Sequence, residues 1–115
     1  IGYSYGSVVA GRAASRGGGL YADDLVFLGS PGVGVDHAAQ LTLLGEDPQV
    51  HAMTHPSDPL SLVGGVHGTD PTSPEFGARV WPGDRAGSHG SYWDDPVLLG
   101  LLSGWTQKKP RASSE

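Results

Sequence analysis

The chain opens with Ile1-Gly2-Tyr3-Ser4-Tyr5-Gly6-Ser7, a Gly-x-Ser-x-Gly pattern followed by the run Val8, Val9, Ala10, Ala13 and Ala14. No other feature constrains the fold as tightly. A serine centred between two glycines and leading into small helix-forming residues marks a sharp turn from a strand into a helix, with the serine held in strained backbone at the apex. The flanking glycines are expected to let strand and helix pass without Cβ clashes. The Ser4 hydroxyl then stands above the first turn of the helix, whose unpartnered N–H groups favour a developing negative charge.

The rest of the chain continues the alternation that this turn begins. Residues 5 to 16 read as a helix with Val9, Ala10 and Ala13 on its apolar stripe and Gly6, Ala10 and Ala13 as the small residues of a face pressed against a sheet. Gly17-Gly18-Gly19 ends it. Asp24-Leu25-Val26-Phe27-Leu28-Gly29 is a continuous apolar run, as expected of a strand covered on both faces. Asp36 reads as the N-cap of a short helix over 37–44 ended by Gly45, and residues 49–54 as the next strand. The stretch 60–77 is rich in Gly and Pro and reads as loop. Residues 78–81 make a short strand, and the spacing of Trp93, Val97, Leu98, Leu101, Leu102 and Trp105 predicts a helix over 91–105. Ser91 is a candidate cap for that helix, with Pro96 a second candidate for its true start. This order predicts an α/β fold, three layers with a mostly parallel sheet.

Composition narrows the function. With 12 acidic against 7 basic residues and a net charge of -5, the chain is not built to hold nucleic acid or an anionic membrane. It has no cysteine, so thiolate chemistry and cysteine-bound zinc are excluded, and no apolar run long enough to span a membrane. Apolar residues are 37% and charged residues 17%, low for a domain that packs independently. Because the strand that should deliver Ser4 is nearly absent, residues 1–106 are expected to be the C-terminal part of a larger domain beginning at the turn, and 107–115 a disordered polar tail.

Serine, acid and histidine fall in that order at inferred strand ends. Ser4 follows the first strand, Asp58 the strand over 49–54, and His89 the strand over 78–81. In a parallel sheet these ends share one side, so the three residues can meet there. His89 suits a base titrating near neutrality, Asp58 would fix its tautomer, and the Tyr5 backbone N–H is one oxyanion donor. The second donor is expected from a loop outside these 115 residues. Tyr3, Pro31, Val33, His67 and Trp93 are candidates for a pocket wall.

Several blocks together resemble a known family: Gly-Tyr-Ser-Tyr-Gly-Ser at 2–7, Asp-Leu-Val-Phe-Leu-Gly-Ser-Pro-Gly-Val-Gly-Val at 24–35, Asp58-Pro59, His67-Gly68-Thr69-Asp70-Pro71, and His89 with Ser91-Tyr92-Trp93-Asp94. From residue 1 to about 102 the chain is similar to the C-terminal part of an α/β-hydrolase domain, most closely that of a mainly actinobacterial family defined as a domain of unknown function. The resemblance implies a serine hydrolase acting on esters or related acyl substrates, with Ser4, Asp58 and His89 in the roles above and no metal or organic cofactor. Two departures are Tyr3, where the family has histidine before the serine, and Gly90, where it more often has serine or another small residue. The first bears on packing beside the turn.

Competing readings are weaker. His51 and His55 are four apart with Asp58 near, but they lack the glutamate and the helical spacing of a His-Glu-x-x-His metal site. His67 and Asp70 read first as braces of the long loop, Asp23, Asp24 and Asp36 as strand-edge and cap residues, and Trp81, Trp93 and Trp105 as core. The functional alternative to an enzyme is a non-catalytic α/β module that binds a hydrophobic ligand or a protein partner.

Overall fold

The computed structural model describes residues 1–56, 58–59, 67–83 and 89–107, and side chains as far as residue 104. Four strands, β1 (Gly2–Tyr3), β2 (Asp24–Leu28), β3 (Gln49–Met53) and β4 (Arg79–Val80), pair in the order β1-β2-β3-β4, every neighbour parallel. The helix α1 (Gly6–Ser15) follows β1, and α2 (Pro96–Gln107) follows β4. The strands expected near 25–29, 49–54 and 78–81 lie where the apolar runs place them.

Alternation along β2 divides the core into two. Leu25 and Phe27 point to one face, where they pack with Ala14 of α1, Val33, Leu41 and Phe76. Val26 and Leu28 point to the other, where they meet Met53, Tyr92 and Leu98 of α2, with Tyr3 and Leu102 against them. Since successive strand residues face opposite ways, one helix on each side makes three layers. A run such as Leu25-Val26-Phe27-Leu28 has no polar member because neither face meets water.

The face of α1 that turns inward is not the expected one. Ser7, Gly11 and Ala14 are buried, whereas Val9 is 70% exposed and Ala13 also faces solvent. Closeness of approach decides this. A Cβ on Gly11 would lie 2.1 Å from the Val33 carbonyl oxygen, so the helix seats its glycine over that loop and leaves its larger valine outside. The two motif glycines also differ. A Cβ on Gly2 would come within 2.7 Å of Ser7 Cα, but one on Gly6 meets no described atom within 4 Å.

Two other helices depart from expectation. In place of a helix over 37–44 there is one 3-10 turn, Ala38–Gln40, closed by a box in which His37 Nδ1 accepts from the Ala39 N–H and Gln40 Oε1 accepts from the Asp36 and His37 N–H groups. The chain then leaves the turn because the Thr42 N–H donates to the Ala14 carbonyl and Leu43 bridges to Leu20. Asp36 caps nothing; its Oδ1 accepts from the Thr69 N–H and hydroxyl. Near the C-terminus, a 3-10 turn over Tyr92–Asp94 precedes α2, and Ser91 makes no capping bond. The cap is Asp95, whose Oδ1 accepts from the Val97 and Leu98 N–H groups ahead of a helix that begins with Pro96. A further 3-10 turn, Pro74–Phe76, lies within the stretch read as loop and buries Phe76. The expected tail at 107–115 lies outside the described residues except for Gln107, the last residue of α2, and the Trp105 side chain is likewise outside them.

Candidate active site

The register of the sheet sets the first three strand ends level. Tyr3 pairs with Leu28 and Leu28 with Met53, so the next residues, Ser4, Gly29 and Thr54, begin the loops of one edge. The ladder runs on by one bond on each side: the Ser4 N–H donates to Leu28 O at 2.9 Å and the Gly29 N–H to Met53 O at 3.0 Å. Ser4 then turns into α1 through φ 58°, the one non-glycine among the described residues with a left-handed backbone. Such a conformation costs roughly 1–2 kcal/mol for an L-residue. What holds it is local: buried Ser7 donates both its N–H and its hydroxyl to the Ser4 carbonyl, at 3.1 and 2.6 Å.

Onto this edge the chain delivers a carboxylate and an imidazole. Ser4 Oγ lies 2.8 Å from His89 Nε2, and His89 Nδ1 lies 2.7 Å from Asp58 Oδ2. An ionised carboxylate only accepts, so Nδ1 carries the proton and Nε2 is left to accept from the Ser4 hydroxyl. Asp58 is 1% exposed and positioned by a tight turn after β3, its N–H donating to His55 O at 2.9 Å. His89 is partly open to solvent, its side chain 32% exposed. An open cavity of about 270 Å³ lies in front, lined by Ser4, Tyr5, Asp58, Pro59 and His89. Tyr5 immediately precedes α1, so its N–H stands among the first-turn donors that a helix cannot satisfy itself.

Aromatic rings hold His89 from behind. Tyr3, one residue before the serine, lies nearly parallel to the His89 ring, centroids 5.0 Å apart, and its hydroxyl donates to the His89 carbonyl. The same ring touches Tyr92 edge-on and Trp93 at a tilt, each at 5.9 Å. The departure at Tyr3 therefore has a structural content: it is the floor under His89. Trp93, expected in the core, is 48% exposed.

Of the other candidates for the pocket wall, two are buried in the loop after β2 and one reaches Tyr5. Val33 is buried in the core beneath Gly11 and does not line the cavity; Pro31 is buried beside it in the loop after β2. The closeness that Gly11 permits draws that loop inward. His67 sits against the same loop, its carbonyl accepting from the Gly34 N–H and its ring meeting Tyr5 edge-on at 5.9 Å. Asp70 accepts from the N–H and hydroxyl of Thr72 and so braces its own turn.

His51 and His55 each have a separate carboxylate. His51 Nε2 is 3.0 Å from Asp24 Oδ1 while its Nδ1 accepts from the Trp81 indole N–H, and His55 Nε2 is 2.6 Å from Asp95 Oδ2. Asp24, read as a strand-edge residue, thus has its carboxylate on a buried histidine. Among the described residues no group of three or more His, Asp or Glu side chains could hold a metal ion. A larger cleft of about 750 Å³ lies toward the opposite ends of the strands, between the turn at Ala38 and Val50.

Two contributors to the site carry little sequence signal. A Cβ on Gly29 would fall 2.6 Å from Asp58 Oδ2 and 3.0 Å from His89 Nδ1, so the acid and base meet in the space a side chain would fill. Tyr92, fully buried, donates its hydroxyl to the same Asp58 oxygen at 2.7 Å. Asp95 before Pro96, by contrast, is a readable capping pair.

A family model described as alpha/beta hydrolase matches residues 1–67 of the chain. The matched span includes Ser4 and Asp58 and ends before His89. No curated protein and no solved structure matches the chain.

Proposed function

The chain belongs to the alpha/beta hydrolase family, and from that premise we propose that it is a serine hydrolase of carboxylic esters or related acyl compounds, working through Ser4, His89 and Asp58. The observation that carries the reading is the unbroken path from Ser4 Oγ to His89 Nε2 and from Nδ1 to Asp58, at 2.8 and 2.7 Å. His89 takes the hydroxyl proton as Ser4 Oγ attacks the acyl carbonyl. The carbonyl π electrons move onto oxygen, where the Tyr5 N–H stabilises the charge. Collapse expels the alkoxide, which takes the proton from His89 and leaves an acyl-serine. Water, deprotonated by the same histidine, then releases the acid and restores Ser4.

Ester is favoured over amide by leaving-group chemistry, since an alkoxide departs with less help from the acid than an amine requires. Neither step calls on a cofactor.

The test is a fluorophosphonate probe on the full-length protein, with the labelled residue found by mass spectrometry in wild type, Ser4→Ala, His89→Ala and Asp58→Ala. Label is expected at Ser4 in wild type and none in the serine variant. The histidine and aspartate variants should react slower by about four to six orders of magnitude, because the members of such a unit fail together. A folded wild type that takes no label at Ser4 and cleaves no activated ester would overturn the proposal in favour of a module that binds without reacting.

A further inference from the structure

Behind the acid lies a second layer of polar side chains that the reaction does not touch. Tyr92 is 0% exposed, and its hydroxyl makes two bonds: it accepts from the His55 N–H at 2.9 Å and donates to Asp58 Oδ2 at 2.7 Å. That oxygen is the one facing His89 Nδ1. The Tyr92 ring lies flat against the His55 imidazole, centroids 3.9 Å apart and planes 9° from parallel. His55 is fixed in turn by Asp95, whose other carboxylate oxygen caps α2. Rotation of Tyr92 would leave a buried carboxylate and a buried N–H each short of a partner, so the hydroxyl is confined to one place.

We propose that Tyr92 is a positioning residue for the reaction, a donor that orients Asp58 and sets how strongly that carboxylate attracts the imidazolium of His89. The proposal rests on the hydrolase reading above. Its chemistry follows from sharing: one carboxylate oxygen serves two donors, and each bond it accepts lowers the charge it offers the other. With Tyr92 in place the shared carboxylate oxygen holds the His89 ring less strongly than it would alone. Burial above all, with the bond to Asp58 adding to it, pushes the Tyr92 phenol well above its ordinary range, so it remains a donor wherever the site is active. Among the described residues, the ionisable groups facing His89 are Asp58 after β3, Tyr3 from β1 and Tyr92 itself; His55 and Asp95 stand one layer behind, across the Tyr92 ring.

The test is the titration of His89 in the full-length protein, followed by NMR with labelled histidine and assigned by loss of the signal in His89→Gln. Tyr92→Phe keeps the ring stack and removes only the hydroxyl. It should move the His89 midpoint up by about half a unit or more, and the acid limb of kcat/KM for an activated ester should move with it. kcat should fall about tenfold with KM nearly unchanged. Replacing Tyr92 alone with 3-fluorotyrosine, a stronger donor of almost the same shape, should move the midpoint the other way. The fluorinated residue decides the matter if Tyr92→Phe fails to fold. A folded variant of either kind whose His89 midpoint matches wild type would overturn the proposal, and loss of stability alone would mark Tyr92 as packing. If the wild type proves inert to esters and to the fluorophosphonate, the hydrolase reading falls, while the His89 midpoint still tells whether Tyr92 governs the pair.

Discussion

Gly29 shows how much a missing side chain can decide. It follows β2 at φ 53°, and the volume its Cβ would take is occupied by Asp58 Oδ2, His89 Nδ1 and an edge of Tyr92. Gly29→Ala should cost stability by about 1–2 kcal/mol from the left-handed backbone alone. It should also slow Ser4 labelling by about a hundredfold, since a displacement near 1 Å is enough to spoil the alignment of reacting groups. Thermal melting and the rate of fluorophosphonate labelling separate the two effects. Gly6 makes the opposite case within the motif itself. With no described atom near its Cβ position, Gly6→Ala should leave the fold intact and raise stability by a few tenths up to about 1 kcal/mol, as removing a helical glycine commonly does.

At the scale of elements, α1 is the instructive one. Its apolar residues admit more than one stripe, because alanine is tolerated on either side of a helix. The inward face is selected by how closely the loop after β2 approaches, and at that contact only a glycine fits over Val33. Urea unfolding should therefore show Gly11→Val destabilised by about 1–3 kcal/mol or more. Val9→Ser, at a position 70% exposed, should stay within about 0.5 kcal/mol of wild type. A reversal of those two results would mean the helix is rotated from the orientation described. The helix α2 carries a related lesson: Asp95 does the capping because it is also the partner of buried His55, so one carboxylate ends the helix and anchors the layer behind the acid.

The whole molecule is joined at Tyr92, which packs against the α2 face of the sheet, the turn that carries Asp58 and the aromatic floor under His89. Its folded state holds the phenol neutral, with burial and the bond to Asp58 raising the pKa above the ordinary value of 10.0. A raised value ties stability to the protonated form. That contribution is present in full below 10.0 and is lost as pH climbs from there toward the folded value, by up to about 1.4 kcal/mol per pH unit for one such group. Equilibrium unfolding of wild type should therefore weaken more steeply above 10.0 than that of Tyr92→Phe. Equal slopes would show that the phenol titrates as freely as in an unfolded chain.

What the sequence determined by itself is what depends on neighbours along the chain. The apolar run at 25–28, the strand at 49–53, the turn at Ser4 and the serine, acid and histidine order are legible because periodicity, glycine placement and sequence order are local properties. A parallel sheet then puts its strand ends on one side whatever fills the rest. The inward face of α1, the single turn in place of a helix at 37–44, the space left by Gly29 and the hydroxyl of Tyr92 on Asp58 were decided only by tertiary structure. Each depends on a contact between residues distant in sequence, Gly11 with Val33, Thr42 with Ala14, Gly29 with Asp58 and His89, Tyr92 with His55 and Asp58. Steric exclusion and the pairing of buried polar groups act on distances in space, and spacing along the chain does not encode those distances.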